Sequence, residues 1–286
     1  FLLKSSQIIV AISRQGHINK IKKGGKMEEK SEFLEFAVEV AEKAGKNIMK
    51  YHGPQLEKDY DDKTHFKTLV DDMNDKMARL EVGKRFPSHS ILSEESAPHK
   101  GDSDLTWVID GIDGTINFST GYNDHFAFAI ALCRGNTPIL GVINAPKRGE
   151  LYTAEVGKGA FCNGKKIQVS NLTEINRVLM GSDAGKHNRT ANLPYIEKLH
   201  SPSGVTCACS GFCASVPLCL VASGVIHAYL ATSLNPEDMA SGVIIIREAG
   251  GKVTNLKGEE WQLGNESILA ANPILHRTLV DFLEIK

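Results

Sequence analysis

The chain has 286 residues, of which 42% are hydrophobic and 23% are charged, enough apolar content for the core of one large domain or two smaller ones. Its formal net charge of -1 argues against a nucleic-acid-binding surface, which usually carries a clear basic excess. No stretch approaches the roughly 18 apolar residues of a membrane span, so we expect a cytoplasmic protein with neither a membrane nor a nucleic acid as partner.

The first 26 residues differ in charge from the rest of the chain, because they contain several lysines and one arginine but no acidic residue. We interpret residues 1–26 as a basic leader outside the fold, with an organelle-targeting segment as the alternative. Residues 27–168 are expected to form an N-terminal α+β half that binds metal. Residues 169–286 are expected to form a smaller C-terminal α/β half.

Helical spacing of apolar residues begins after the leader. The pattern predicts a helix that starts at Ser31 and ends near Gly53. A polar, charged loop over residues 60–67 precedes a second helical pattern within residues 68–85. Residues 90–93 then read as a short strand that stops at the acidic side chain of Glu94.

A stretch near the middle of the chain places two aspartates on one tight turn. Trp107, Val108 and Ile109 predict a buried strand, which stops at Asp110 and reaches Asp113 three residues later. Two carboxylates so close repel each other unless a cation lies between them, and oxygen ligands suit Mg2+. Backbone N–H groups after the next glycine would suit a phosphate, so the turn indicates metal-assisted phosphate chemistry.

The rest of the chain has two different patterns. β-prone runs separated by turn signals predict an antiparallel meander whose best hairpin turn is Asn163-Gly164. From Arg177 onward, strands and helices alternate, which favours a sheet covered by helices. The predicted strands of the meander are Phe126–Cys133, Ile139–Ala145, Leu151–Ala154 and Ile167–Val169.

Four of the six cysteines lie close together late in the chain, at Cys207, Cys209, Cys213 and Cys219. Their spacing matches no CxxC pair, and their neighbours are small and apolar. We therefore predict reduced and buried side chains, with a zinc or redox cluster as the alternative.

A fourth acid completes the candidate site. Asp238 lies in the first turn of a predicted helix, where an acid is often only a favourable partner of the helix dipole. Together with Glu94, Asp110 and Asp113 it brings the charge to about −4, which two divalent cations would balance so that a phosphate dianion is not repelled. Two such ions can polarise a phosphoryl oxygen and lower the pKa of a bound water.

Four motifs, in order, resemble those of the inositol monophosphatase family. The motif Asp110-Gly111-Ile112-Asp113-Gly114-Thr115 is similar to the family's Asp-Pro-(Ile/Val/Leu)-Asp-Gly-Thr signature. The other three matches are Ser93-Glu94-Glu95-Ser96, the hairpin Gly159–Gly164, and Asn235 through Gly251. The resemblance covers Met27 to the C-terminus. It implies a layered αβαβα fold and a lithium-sensitive, often dimeric enzyme that uses two or three Mg2+ ions.

The resemblance also implies roles for individual residues. Thr115 would orient the attacking water, and the backbone N–H groups of Gly114, Thr115 and Ile116 would hold the phosphate. Asp238 would contact the substrate as well as a metal. The implied metal ligands are Glu94, Asp110, the carbonyl group of Ile112, Asp113 and Asp238.

The chain departs from the family pattern at several positions. Gly111 stands in place of the usual proline and Ile116 in place of a common threonine. Both substitutions are tolerable because backbone groups, and not these side chains, would bind the phosphate and the metal. Glu237 replaces a tryptophan beside Asp238. Ala231 lies where the family's inositol enzymes carry a glutamate that contacts the sugar ring.

The family also has a loop acid that helps to position the water. Asp71, Asn74 and Asp75 are all candidates for this position, depending on where the alignment is anchored. We predict Asp75 because Lys76 follows it, as in the family, and leave Asp71 and Asn74 open.

The sequence therefore predicts a Mg2+-dependent phosphomonoesterase that hydrolyses a small polyol or sugar phosphate, with inositol monophosphate as the default. Alternatives within the fold are fructose-1,6-bisphosphate and 3′-phosphoadenosine 5′-phosphate. An alternative of another class is a weakly catalytic regulatory protein that binds partners through the same fold. We predict a homodimer.

Overall fold

The computed structural model describes residues 31–53, 58–60, 66–185, 188 and 190–285. The predicted basic leader, residues 1–26, lies outside the described residues. Within the described part of the chain there are seven α-helices and fifteen strands, labelled here in chain order. The helices are α1 (Glu32–Tyr51), α2 (Leu69–Arg85), α3 (Thr115–Thr120), α4 (Leu193–Leu199), α5 (Ser215–Ala222), α6 (Pro236–Glu248) and α7 (Pro273–Leu283).

The first layer consists of α1 and α2, the two helices predicted from apolar spacing. α1 starts at Ser31, whose hydroxyl accepts the backbone N–H of Leu34 at 3.2 Å. α2 starts at Thr68, and Asp71 reaches back to accept the backbone N–H of Thr68 at 2.8 Å, which completes a capping box. Just before α2, a short antiparallel pair, β1 (Lys58–Tyr60) and β2 (Phe66–Thr68), occupies part of the predicted polar loop.

An eight-stranded sheet forms the second layer, with the spatial order β10-β9-β8-β7-β6-β5-β3-β4. Its neighbours are antiparallel except for β3 and β5, which run parallel. One face packs on α1 and α2. The strands are β3 (Ser90–Ser93), β4 (Ser96–His99), β5 (Leu105–Asp113), β6 (Ala127–Arg134), β7 (Thr137–Ala145), β8 (Glu150–Glu155), β9 (Gly159–Cys162) and β10 (Lys165–Lys166).

The meander is confirmed, but one of its predicted strands is wrong. Asn163 and Gly164 form the predicted hairpin turn, with φ of 48° and 74°. The strand after this turn is the short β10, not Ile167–Val169. The chain leaves the sheet early because the N–H of Val169 donates instead to the carbonyl group of Ala249, at the end of α6, at 3.1 Å.

A second, five-stranded sheet has the order β12-β11-β13-β15-β14. β11 is parallel to both of its neighbours, whereas β15 is antiparallel to β13 and β14. The edge strand β12 was not predicted from the sequence. The strands are β11 (Leu179–Ala184), β12 (Cys207–Cys209), β13 (Ala228–Thr232), β14 (Lys252–Thr254) and β15 (Ile268–Ala271).

Helices α5 and α6 lie between the two sheets. α6 is buried on nearly every side, from Met239 to Ile246, as expected for a helix covered on both faces. The outer face of the second sheet packs on α4 and α7. The layers therefore follow the order αβαβα, which confirms the predicted fold class. None of the helices in the described part of the chain combines the length and apolar character that crossing a bilayer requires.

Candidate active site

Strand β5 carries the two central aspartates at its carboxyl end. Its pairing with β6 becomes irregular between Asp110 and Asp113, so the backbone turns there while remaining buried. At Gly111, in the middle of this turn, a Cβ atom would lie only 2.7 Å from the carbonyl oxygen of Asp71. A residue without a side chain is therefore needed for α2 to approach the turn this closely.

Three carboxylates from separate elements meet beside the turn. Glu94 follows β3, which runs parallel to β5, so both strands end at the same edge of the sheet. Asp238 lies in the first turn of α6, where it accepts the backbone N–H of Asn235 at 3.1 Å. One oxygen atom from each of Glu94, Asp110 and Asp238 lies within 4.8 Å of the other two.

This cluster has the donor chemistry of a cation site. Asp110 is 1% exposed and Asp238 is 7% exposed, so water screens little of the repulsion between them. Several buried carboxylates at this spacing are stabilised when a cation lies among them. Because every donor is an oxygen, the set fits a hard divalent ion such as Mg2+ better than a soft one.

Asp113 faces a different neighbour from Asp110. Its Oδ2 accepts the backbone N–H of Ala214 at 2.8 Å and the N–H of Ser215, and the thiol of Cys213 lies 3.2 Å away. These donors surround the N-terminus of α5, whose dipole favours a negative charge. Burial raises the pKa of Asp113, and the hydrogen bonds from Ser215 and Cys213 oppose that rise. Asp113 thus joins the first sheet to the helix layer next to the second sheet.

Thr115 connects the turn to the start of α2. Its hydroxyl oxygen lies 3.0 Å from Oδ1 of Asp71 and 3.0 Å from the carbonyl oxygen of Ile112. Asp71 is itself held by Thr68, through the backbone N–H at 2.8 Å and the hydroxyl at 2.5 Å. Burial raises the pKa of Asp71 to about 6, although the hydrogen bonds from Thr68 lower it.

A lysine partly balances the acids behind this site. Lys67 Nζ lies 3.1 Å from Oδ1 of Asp72 and 3.4 Å from Oε2 of Glu95. Burial, with the charges of Glu94 and Asp71, nevertheless raises the pKa of Glu95 to about 7. The local field is therefore strongly negative, as expected where a cation would be held.

Helix α3 begins at the end of the turn. Gly114 precedes it in the left-handed conformation, with φ of 87°, and a Cβ there would lie 2.4 Å from the carbonyl oxygen of His125. The N–H of Phe118 makes the first intrahelical bond, to Gly114. The N–H groups of residues 115–117 are thus the ones that a helix start leaves without intrahelical partners. Asn117 fixes the helix by donating to the carbonyl groups of His125 and Gly211, both at 2.7 Å.

These elements surround a cleft of about 470 Å³. One wall comes from the turn and α3, and the other from the ends of β11 and the loop before α5. The first wall contains Glu94, Asp110, Ile112, Asp113, Gly114, Thr115, Ile116 and Asp238; the second includes Ser182, Asp183, Asn192, Ser210, Phe212 and Cys213.

The layered fold and the acidic cleft together match one known family. A sequence model described as the inositol monophosphatase family matches residues 29–284. The chain belongs to the inositol monophosphatase family. Members of this family are phosphatases and generally depend on a metal, in agreement with the buried acidic cluster.

Individual relatives within the inositol monophosphatase family carry different names. The putative Nus factor SuhB of Neisseria meningitidis serogroup B is 34% identical over 258 residues, covering 88% of this chain and 97% of the relative. A fructose-1,6-bisphosphatase/inositol-1-monophosphatase of Thermotoga maritima is 32% identical over 252 residues, covering 86% and 94%. The solved structure of extragenic suppressor protein suhB from Bartonella henselae superposes with a TM-score of 0.82 at 29% identity, covering 89% of this chain and 99% of that one.

The structure brings most of the predicted site residues of this family member together. The residues from Gly114 to Ile116 line the same cleft as the acidic cluster. Asp113 lines the cleft too, but one of its oxygens is directed at α5. Within the described residues, one group of three or more His, Cys, Asp or Glu side chains is close enough together to hold a metal ion. It consists of Glu94, Asp110 and Asp238.

The loop acid is where the geometry departs from the prediction. Asp75 does not contact Thr115; its Oδ2 accepts the hydroxyl of Ser96 at 2.5 Å. Asn74 donates to the carbonyl group of Gly111 at 3.1 Å. Asp71 is the member of this set that contacts Thr115. The helical register accounts for this difference, because the capping box at Thr68 places Asp71 one turn ahead of Asp75, next to Thr115.

The two substitutions that were expected to alter the pocket have different surroundings. Glu237 is buried in the first turn of α6 but does not line the cleft. Ala231, in β13, lies directly opposite Asp183 of the adjacent strand β11. A carboxylate is therefore present in that region of the cleft, on the neighbouring strand.

Sequence reasoning did not identify the second wall of the cleft. Asp183 lies at the end of β11, where it accepts the hydroxyl groups of Tyr229, at 3.0 Å, and Ser210. Burial raises its pKa. A weak signal was present, since β11, like β5, carries an acid near its carboxyl end. Phe212 carried no such signal, because its place in the cleft depends on the backbone conformation.

The cysteines are all free. Cys133, Cys213 and Cys219 are buried, as predicted. The prediction of burial is wrong for Cys207 and Cys209, which are at least partly exposed because they lie on the edge strand β12, with their sulfur atoms 3.0 Å apart. Within the described residues they do not belong to a group of three or more metal-binding side chains, so the zinc alternative has no support there.

Proposed function

We propose that this chain is a Mg2+-dependent phosphomonoesterase that acts on a small polyol or sugar phosphate. The observation that carries the proposal is the meeting of Glu94, Asp110 and Asp238 within 4.8 Å at the base of the cleft. Membership of a phosphatase family supports the reaction class. The choice of Mg2+ follows from the oxygen-only donor set.

The residues that would hold the cations are the three clustered carboxylates, with Asp113 and the carbonyl group of Ile112 beside them. Bound there, two or three Mg2+ ions would supply an activated water and neutralise charge on the phosphate. The chain itself supplies the N–H groups at the start of α3, which would hold the phosphate, and Asp238, which would contact the substrate. These groups orient the ester so that water can approach opposite the leaving alcohol.

Thr115 and Asp71 are proposed to position the water. The Thr115 hydroxyl has one proton, which it donates to Asp71 or to the carbonyl group of Ile112, both 3.0 Å away. Its lone pairs then remain available to accept a hydrogen bond from the attacking water. We therefore propose Asp71, rather than Asp75, as the loop acid.

Inositol monophosphate is the proposed default substrate. Fructose-1,6-bisphosphate is the first alternative. It is supported by the Thermotoga maritima relative, whose name combines fructose-1,6-bisphosphatase and inositol-1-monophosphatase. 3′-Phosphoadenosine 5′-phosphate is the second alternative. We also propose a cytoplasmic homodimer that is inhibited by lithium, which light scattering and inhibition assays with LiCl would test.

A regulatory binding protein is the second candidate function. The name Nus factor, carried by the Neisseria meningitidis relative, favours it. Such a role would not require the carboxylate cluster to turn over substrate. A partner-binding function that survives loss of the cluster would therefore support this second candidate.

The decisive experiment measures phosphate release from inositol, fructose and adenosine phosphates with and without Mg2+. Asp110→Asn and Asp238→Asn are each expected to abolish turnover while the protein stays folded, because each removes a charge from the cation site and little packing. Asp281→Asn is the matched control, since Asp281 is exposed on α7. The proposal fails if no ester releases phosphate in a Mg2+-dependent manner, or if either site variant keeps near-normal activity.

A further inference from the structure

The loop before α5 holds an aromatic side chain in a backbone conformation that L-residues rarely adopt. Phe212 has φ of 52°, in the left-handed region where glycine is favoured. A bulky residue there is strained, and such strain is kept where the surrounding structure requires it. The Phe212 side chain is 50% exposed and lines the cleft, so burial in the protein does not repay the strain.

Buried polar groups hold this conformation. The backbone N–H of Phe212 donates to Oδ1 of Asp183 at 3.3 Å. Asp183 is 6% exposed, and the hydroxyl of the fully buried Tyr229 donates to its Oδ2 at 3.0 Å. Ser210, two residues before Phe212, donates to the same carboxylate. The backbone of Phe212 is therefore attached to β11 of the second sheet as well as to its own loop.

A second exposed aromatic residue lies beside Phe212. The Tyr122 ring is 5.9 Å from the Phe212 ring, at an interplanar angle of 68°. Tyr122 follows α3, the helix that begins with Thr115, and is 70% exposed. The two rings meet edge to face; Phe212 lines the cleft, and Tyr122 lies next to it outside the cleft lining. We call these two residues the aromatic wall.

We propose that Phe212, supported by Tyr122, determines specificity for phosphate monoesters whose alcohol is a saturated ring bearing hydroxyl groups. The flat, CH-rich face of such a ring would cover the exposed face of Phe212, which lines the cleft. An acyclic alcohol cannot present a face of this kind, so it would bind without using the aromatic wall. The inference rests on the proposed phosphomonoesterase function.

The test compares two esters of secondary alcohols, inositol 1-phosphate and glycerol 2-phosphate, so that the leaving groups are chemically similar. In Phe212→Gly, KM for inositol 1-phosphate is expected to rise about tenfold, equivalent to about 1.4 kcal/mol of binding, with kcat nearly unchanged. KM for glycerol 2-phosphate should stay the same. Phe212→Leu, which keeps apolar bulk without a flat face, should give an intermediate rise.

Two controls separate loss of the ring from loss of structure. Glycine fits the backbone at position 212 better than phenylalanine does, so the melting temperature of Phe212→Gly should not fall. Val156→Ala removes exposed apolar surface outside the cleft and should change neither KM. If KM rises equally for the two esters, or rises for neither, the proposed role of the aromatic wall is wrong.

A failure of the proposed function would give a different result. If the wild-type protein hydrolyses neither ester in the presence of Mg2+, the phosphomonoesterase proposal fails. Calorimetric titration with inositol 1-phosphate then decides the role of Phe212. A Kd about tenfold weaker in Phe212→Gly supports the aromatic wall, whereas equal affinities, or no binding to the wild type, refute it.

Discussion

Replacing Asp71 or Asp75 by asparagine separates the two candidates for the loop acid. In Asp71→Asn one carboxylate oxygen becomes an NH2 group, which must face either Thr68 or Thr115. Thr68 presents a backbone N–H at 2.8 Å, and this donor cannot reverse its role. The Thr115 hydroxyl can rotate, so the amide NH2 is expected to face Thr115 while the amide oxygen keeps the capping bond.

This arrangement allows the size of the effect to be worked out. Thr115 would accept the new NH2 group with one of its two lone pairs and its proton would turn to the carbonyl group of Ile112, so the hydroxyl would no longer be oriented to accept the water as in the wild type. Losing a group that positions or accepts a proton typically costs 10²–10⁴-fold in rate, about 3–5 kcal/mol in activation free energy. Stability should change little, because the capping box at Thr68 is kept; breaking it would cost about 0.5–2 kcal/mol.

Asp75→Asn is the matched variant. Asp75 accepts the hydroxyl of Ser96, which can rotate to suit an amide, whereas the Thr115 hydroxyl bonds Asp71. Its kcat is expected to stay close to that of the wild type. Steady-state phosphate release at saturating Mg2+, together with thermal melting of each variant, provides the measurement. If Asp75→Asn loses as much activity as Asp71→Asn, or if Asp71→Asn keeps wild-type kcat, the assignment is wrong.

Three further predictions concern stability and the cysteines. Gly141→Ala should cost about 1–3 kcal/mol in chemical denaturation, because its Cβ would lie 2.6 Å from the carbonyl oxygen of Ser241 in α6; Gly83→Ala, where the Cβ meets open space, should not destabilise. Burial lowers the pKa of His276 from 6.5 to about 4, so its contribution is present above pH 6.5 and lost as the pH falls toward 4. The unfolding free energy of the wild type should therefore fall by about 3 kcal/mol across this range because of His276, and this fall should be absent in His276→Gln. Cys209→Ser should keep Mg2+-dependent activity, and a folded but inactive variant would revive the cysteine-site hypothesis.

The parts of the fold that were predictable from the sequence are those where one local pattern decides the structure. The helix from Ser31 has a continuous apolar stripe, and the turn at Asn163-Gly164 requires positive φ, which these residues accept. The run Ile167–Val169 has strand composition, but a hydrogen bond to the distant end of α6 removes it from the sheet. Tertiary contacts of this kind leave no trace in a single stretch of sequence.

The same distinction applies to the site. Asp110 and Asp113 are predictable because a strand, a turn and two acids are contiguous. The choice between Asp71 and Asp75 depends on the residue at which α2 begins, which the spacing alone does not determine. The aromatic wall was beyond sequence reasoning, because a phenylalanine gives no indication that its φ is positive.

The hydrogen bonds of Asp113 affect the route by which substrate enters the cleft and product leaves it. Separating the two sheets at this point would strip one buried carboxylate oxygen of the N–H donors of Ala214 and Ser215 and would also break the bond that Asn117 makes to Gly211. A buried charge deprived of its donors is costly, so the halves are expected to stay closed during turnover. Substrate and product should therefore exchange through the existing mouth, and their escape should depend on the side chains at that rim rather than on a hinge.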